Sequence, residues 1–138
     1  MTKEDVYRFM AGKDYGVLGS ISPDGEPQCA LVGIAVTPEL ELIFDTVSSS
    51  RKYVNLKQRP RAAFVIGWEN EITLQYQGEA RELQGADLER CQTVYFAKWP
   101  DGPERMKWPG ITYFAVQPKW IRYSDFNEGS RGIEELTF

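Results

Sequence analysis

Short runs of β-forming residues, separated by turns rich in proline and glycine, follow one another along most of this chain. The first run, residues 15–22, ends at Pro23-Asp24-Gly25-Glu26-Pro27, where proline fixes φ and glycine can adopt a positive φ. A second run, 28–37, and a third, 41–46, are separated by Pro38-Glu39. The three runs predict that the fold begins as a β-meander.

Further strands and short helices complete the predicted architecture. Strands are expected over residues 62–67, 72–83 and 112–123, and helices between Thr2 and Gly12, over 51–59, and from a cap at Asp87 to about Lys98. The segment 99–110 is predicted to be an irregular loop because prolines and glycines interrupt it. The pattern predicts one mainly β, α+β domain over 1–138, a six-stranded antiparallel split β-barrel with short helices.

Composition excludes several classes of function. The 138 residues include no histidine, which removes the Ser-His and Cys-His nucleophile systems and the commonest zinc and haem ligand. Cys29 and Cys91 form no CxxC pair, so no metal site is expected and both thiols are predicted to be reduced and buried. A pI near 4.9 argues against nucleic-acid binding. The sequence shows neither a membrane-spanning run nor a secretory signal, so a cytoplasmic location is expected.

Positive charge is concentrated at one predicted helix. Five basic residues lie between Arg51 and Arg61, and no acidic residue occurs from Val47 to Trp68. Ser48-Ser49-Ser50 precedes the helix, so hydroxyls, free backbone N–H groups, the helix dipole, Arg51 and Lys52 would converge there. This pattern predicts a phosphate site, although one serine could simply cap the helix while the basic residues are solvated.

Aromatic residues offer walls for a planar ligand. Of the four tryptophans, Trp108 and Trp120 are candidates for such a role, although most aromatic residues in a small barrel belong to a core or an interface. Gly33, within the small-residue strand 28–36, could let a planar ring approach the backbone. A bulge or tight packing would explain this glycine equally well.

A series of short motifs carries a family resemblance. In order along the chain they are Asp24-Gly25-Glu26-Pro27, Phe44-Asp45-Thr46, Ser50-Arg51-Lys52, Asn55-Leu56, Pro60-Arg61-Ala62 and Gly78-Glu79-Ala80. Together they resemble the pyridoxamine 5'-phosphate oxidase-like family of FMN-binding split barrels, over about 16–83 and more loosely over 115–126. The run 118–125 is similar to its short members, the general stress proteins.

The resemblance implies a homodimer with FMN at the subunit interface, a small-molecule redox partner, and no nucleic-acid or membrane partner. By position, Leu31, Val32 and Gly33 would line the isoalloxazine ring, and Asp45 and Thr46 would lie near the ribityl chain and phosphate. Ser50, Arg51 and Lys52 would hold the phosphate. Thr73 would face the ring or ribityl chain, and Trp108 or Trp120 would reach across from the partner subunit.

Departures from the family pattern bear on the substrate. Ala30 and Ala35 stand where the oxidase carries an arginine and a lysine, and the stretch 121–125 lacks its C-terminal pair of arginines flanking a histidine. The resemblance therefore implies an FMN-dependent oxidoreductase that is not an efficient pyridoxamine 5'-phosphate oxidase. No catalytic side chain is assigned. The alternatives are an F420-dependent reductase and a non-catalytic flavin-binding stress protein acting as a buffer or sensor.

Overall fold

The computed structural model describes residues 1–138 and contains eight strands and four helices. The strands are β1 (Tyr15–Ile21), β2 (Pro27–Gly33), β3 (Ala35–Val36), β4 (Leu42–Val47), β5 (Arg61–Ile66), β6 (Ile72–Glu82), β7 (Ile111–Asp125) and β8 (Ile133–Thr137). The helices are α1 (Lys3–Ala11), α2 (Arg51–Gln58), α3 (Gly85–Lys98) and α4 (Gly102–Arg105).

All strand pairs are antiparallel, and the path through the sheet is β2-β1-β5-β6-β7-β4-β3. The long strand β7 pairs with β4 near its start and with β8 near its end. Since β2 also contacts β4, the sheet curls toward closure. The result is a split barrel with short helices, which confirms the predicted fold class.

Two apolar clusters lie on opposite faces of the curled sheet. The larger cluster of 19 buried residues fills the barrel and includes Phe44, Phe64 and Tyr76. The smaller cluster of 7 buried residues joins α3, through Cys91 and Tyr95, to the outer side of β3, β4 and β7. The outer side of β2, β1, β5 and β6 carries no helix, and its alternate residues are exposed or, in most of β1, half-buried.

The sequence prediction differs from the structure in four details. The barrel has eight strands because the run 28–37 is interrupted after Gly33 and because 133–137 forms an additional strand. Asp87 does not cap α3: Gln84 is the N-cap residue, and the Asp87 carboxylate bonds Arg81 and Arg90 instead. A short helix, α4, interrupts the loop 99–110. Cys91 is buried as expected, but Cys29 is exposed.

None of the helices is both long enough and apolar enough to span a membrane.

Candidate functional site

The turn between β4 and α2 presents the helix N-terminus to solvent. Ser50 is the N-cap: its Oγ accepts a hydrogen bond from the Tyr53 N–H at 3.2 Å. The same oxygen lies 2.8 Å from Oγ1 of the buried Thr46, which fixes the turn against β4. The first turn of α2 contains no acidic residue, so its partial positive charge is not neutralised within the helix.

Arg51 and Lys52 line a small pocket of about 120 Å³ beside this turn. Burial lowers the pKa of Lys52, and the nearby Asp45 carboxylate opposes that shift. Asn55, on the same helix, donates hydrogen bonds to Ser20 Oγ at 3.0 Å and to Gln28 Oε1 at 2.9 Å. These bonds hold α2 against β1 and β2, so the two basic residues have a fixed position relative to the sheet.

A groove of about 670 Å³ continues from this pocket across the outer side of the sheet. Ser20, Gln28 and Cys29 line both depressions, which makes them one continuous surface. The cross-strand row Cys29–Gly19–Ala63–Gln77 forms the middle of the groove. The floor is low because the side chains of Gly19 and Ala63 are small. The volume lies within the range of ligand sites, about 300 to 1,000 Å³.

An ion pair adjoins the basic pocket. Arg105 Nε donates to Asp45 Oδ2 at 2.8 Å, and the two side chains are only 17% and 15% exposed. Burial is the largest single influence on Arg105 and opposes its charged form, but the Asp45 hydrogen bond and the Asp45 charge, with smaller effects from Tyr95 and Asp101, together raise the pKa of the guanidinium. Arg105 also contacts the exposed Asp101 at 2.9 Å, one helical turn earlier in the chain. Asp45 therefore bonds Arg105 directly and affects Lys52 through its charge.

The expected ring-lining residues fall into three environments. Leu31 is 62% exposed and flanks the groove on the row next to Cys29. Val32 is buried in the barrel core, so its side chain is directed away from the groove. At Gly33, an added Cβ would lie 3.0 Å from the Trp99 ring. The open side of this glycine is therefore packed by the chain's own tryptophan.

The remaining expected residues lie at different distances from the basic pocket. Trp120 is the cross-strand partner of Gln77 and so adjoins the far end of the groove. Trp108 is 53% exposed beside the β4–α2 turn, where the Gly110 carbonyl accepts the Ser48 N–H bond at 2.8 Å. Thr73 pairs with Ser124 about 13 Å along β6 from Gln77, at roughly 3.3 Å per residue. The structure thus groups Asp45, Thr46, Ser50, Arg51 and Lys52, and leaves Thr73 apart.

Sequence reasoning missed two residues near the site. Arg105 comes from a segment that was expected to be irregular, and no local pattern indicates its pairing with Asp45. Trp99 packs on Gly33, and its Nε1 donates to the Ile34 carbonyl at 3.0 Å. Its indole occupies the space that the glycine leaves, as expected if Gly33 serves tight packing within the chain.

Comparison with known families identifies the fold's relatives. The model of the family described as pyridoxamine 5'-phosphate oxidase matches residues 2–125, which is most of the chain. The chain belongs to this family. A comparison with curated proteins gives no match.

Solved structures of similar fold include proteins with different described roles. A heme binding protein from Mycobacterium smegmatis superimposes with a TM-score of 0.83 at 14% identity, over 99% of this chain and 58% of that one. General Stress Protein 26 from Bacillus anthracis gives a TM-score of 0.75 at 19% identity, over 99% and 98%. HutZ, the heme storage protein of Vibrio cholerae, gives 0.70 at 14%, over 84% and 89%. These similarities establish the split barrel shared by the family.

Proposed function

We propose that the protein is an FMN-binding flavoprotein, a cytoplasmic homodimer that transfers hydride between the flavin and a small-molecule partner. One observation carries the proposal: the first turn of α2, with Ser50, Arg51 and Lys52, opens into a pocket that continues as the groove. An elongated ligand with one phosphate and one planar end matches this arrangement. The phosphate would lie at the pocket and the planar end over the groove.

The residues present fit such a group. The helix N-terminus and two cations suit a phosphate monoester, which carries about −1.5 to −2 charges at neutral pH. Gly19 and Ala63 leave room above the sheet for a flat ring, and Gln28 and Gln77 offer polar contacts at its edges. Asp45 is the exception in this environment, because an unpaired carboxylate would repel the phosphate.

The exposed sheet surface supports a homodimer. Leu31, Val17 and Val65 form one cross-strand row, and the groove row runs parallel to it. Leu31 and Val65 are 62% and 38% exposed, although both are apolar residues in strands. We call the outer side of β2, β1 and β5 the open face. A second copy seated on the open face would cover these side chains and enclose the groove.

The bound flavin would supply the redox chemistry, which is hydride transfer at N5. The chain's own residues would bind and orient it, and the dimer would exclude water from its ring. With no histidine in the sequence, any proton relay would use water, tyrosine or carboxyl groups. No side chain is assigned a catalytic role.

Three alternative functions would use the same surface. The deazaflavin F420 also carries a phosphate and would use the same cations. A flavin-binding stress protein without turnover would need the site but no substrate entrance. Haem is favoured by the described roles of the Mycobacterium smegmatis and Vibrio cholerae proteins. In this chain its axial ligand would have to be a residue such as Cys29, since histidine is absent.

The absorption spectrum of protein purified without added cofactor tests the proposal. A flavin spectrum, with FMN released on denaturation at about one per subunit, is the expected result. A deazaflavin spectrum or a Soret band would instead support F420 or haem. Oxidation of reduced nicotinamide by the flavin-loaded protein would support an enzyme, and a loaded protein that accepts no electrons would support the non-catalytic alternative.

A further inference from the structure

The proposed phosphate site does not by itself explain why a carboxylate, Asp45, lies close to its cations. Asp45 precedes Thr46 on β4, the strand that leads into the α2 turn, although the two side chains point to opposite faces of that strand. It is close enough to Lys52 to influence the ionisation of that amine. Left unpaired, Asp45 would compete with a phosphate for Lys52 and would repel the incoming anion.

Arg105 removes this competition in the structure. Its Nε bonds Asp45 Oδ2 at 2.8 Å, and both side chains are more than four-fifths covered, so solvent screens the pair less than it screens an exposed one. The Asp45 charge is balanced by Arg105, and the two charges of Arg51 and Lys52 remain for a ligand. Two positive charges match one phosphate monoester.

α4 brings Arg105 to this position. The short helix (Gly102–Arg105) follows Trp99, whose ring packs on Gly33, and precedes Gly110, whose carbonyl accepts the Ser48 N–H bond. The segment is therefore attached on one side to β2 and on the other to the turn that leads into α2. Arg105 projects from a supported position rather than from a free loop.

We infer that Arg105 is a positioning residue that neutralises Asp45 and thereby makes the α2 site selective for the phosphorylated form of its ligand. The inference rests on the proposed phosphate site but names a different determinant. Arg105 does not need to touch the phosphate. Its effect is to keep the Lys52 amine free, so it should act on ligands that carry a phosphate and not on those that lack one.

The test compares FMN with riboflavin, which has the same ring but no phosphate. Arg105→Gln removes the positive charge but keeps a polar side chain, and should weaken FMN binding about tenfold, the effect of losing roughly one charge-assisted interaction. Riboflavin binding should change less than about threefold. Asp45→Asn added to Arg105→Gln should restore FMN affinity, because the competing carboxylate is then gone.

Asp101→Asn is the matched control. It removes the exposed partner of Arg105, at 2.9 Å, without exposing Asp45, so FMN affinity should stay at the parental level. A purely structural role for Arg105 predicts another pattern, in which FMN and riboflavin weaken together and the double variant does not recover. That pattern overturns the inference.

A second measurement separates this inference from the proposed function. Inorganic phosphate should raise the melting temperature of the parent protein and of the double variant by similar amounts. The rise should be smaller for Arg105→Gln. If the parent binds phosphate in this way but neither flavin, the flavin proposal fails and the role of Arg105 is supported. If phosphate protects the parent and Arg105→Gln equally, the role of Arg105 is refuted whatever the flavin result.

Discussion

At Lys52, in the first turn of α2, burial and a neighbouring charge have opposite effects on the ionisation of the amine. Burial lowers its pKa, and Asp45 counteracts the shift. A bound phosphate would add a second negative partner and stabilise the charged amine further. Arg51, by contrast, is exposed. The two cations thus differ in burial, so a ligand would meet one solvated and one partly desolvated positive charge.

Replacing both cations tests the anchor directly. Each charge-assisted hydrogen bond is worth roughly 1.5 to 3 kcal/mol, so Arg51→Ala with Lys52→Ala should cost about 3 to 6 kcal/mol of FMN binding. This corresponds to a loss of affinity of about a hundredfold to ten-thousandfold, measurable by titration of flavin fluorescence. Lys57→Ala is the control, because Lys57 lies in the last turn of the same helix and pairs with Glu82. A folded double variant with parental affinity would refute the anchor.

The sequence indicates some site residues better than others, for physical reasons. Ser50, Arg51 and Lys52 are contiguous, so an uneven charge distribution and an N-cap signal reveal them without knowledge of the fold. Asp45 and Arg105 are far apart in sequence, and their pairing depends on where α4 lies. Gly33 is easy to find in the sequence but hard to interpret. A missing side chain indicates that another group packs closely against the backbone, but it does not say whether that group is a ligand or Trp99.

A charge network attaches α3 to the barrel. The Glu41 side chain is only 6% exposed and bonds Arg81 at 2.6 Å and Arg90 at 3.0 Å. Asp87, in the first turn of α3, bonds both arginines as well. The network joins the β3–β4 turn, the end of β6 and the start of α3, so it supplies the N-terminal attachment that the uncapped helix lacks.

This network should make the protein sensitive to acid. Hydrogen bonds from Arg81 lower the pKa of Asp87 to about 2, and although burial alone would raise the pKa of Glu41, bonds from Arg81 and Arg90 hold it below its ordinary value. Both carboxyls have a lower pKa folded than unfolded, so their stabilisation is complete above the ordinary pKa near 4. It should be lost as the pH falls from about 4 toward 2.

Urea denaturation at several pH values measures the effect. Glu41→Gln should lower the free energy of unfolding at pH 7 by about 1 to 3 kcal/mol and should flatten its decline below pH 4. Glu104→Gln is a suitable control, since its pair with Lys107 is exposed on both sides. An unchanged acid profile in Glu41→Gln would show that the network does not govern acid stability.

Strand boundaries were predictable where hydrophobic alternation is strong and turns are marked by proline or glycine. The first hairpin, β5 and β6 follow this rule, and the predicted helix α1 begins with a Thr2–Asp5 capping box. β8 was missed because 133–137 holds two glutamates and lies on an exposed edge of β7. Its stability comes from tertiary pairing, including the Arg122–Glu135 contact at 2.6 Å, and this is invisible to local propensity.

The open face is the surface on which we expect two subunits to meet. Leu31→Lys should place a charge in the centre of the proposed interface and produce monomers, which light scattering would detect. Phe126→Lys is the control, because Phe126 is 65% exposed outside the open face. A ligand held between subunits stabilises the dimer by mass action, so FMN should raise the melting temperature and suppress dissociation on dilution. A flavin-loaded monomer would contradict the proposal.

Family membership also raises the question of whether the molecule oxidises pyridoxamine 5'-phosphate. That substrate is phosphorylated and cationic, and holding it over a flavin requires a charged clamp of its own. Two positions where the resemblance implies such residues hold alanine here. Ala30 lines the small pocket beside Lys52, and Ala35 is 5% exposed beneath α3. A charged side chain at position 35 would be buried in the apolar cluster rather than directed at a ligand.

The C-terminal part of the clamp is also reduced. Arg122 is the basic residue that remains in 121–125, and Glu135 already engages it at 2.6 Å. The groove is lined instead by Gln77, whose cross-strand neighbour is Trp120, and by charged residues of both signs, Arg61, Glu79 and Lys119. Steady-state assay of the FMN-loaded protein with pyridoxamine 5'-phosphate and oxygen should therefore give turnover far below the typical enzyme rate of roughly 10 per second. Turnover at that rate would show that this site binds the substrate through residues other than the expected clamp.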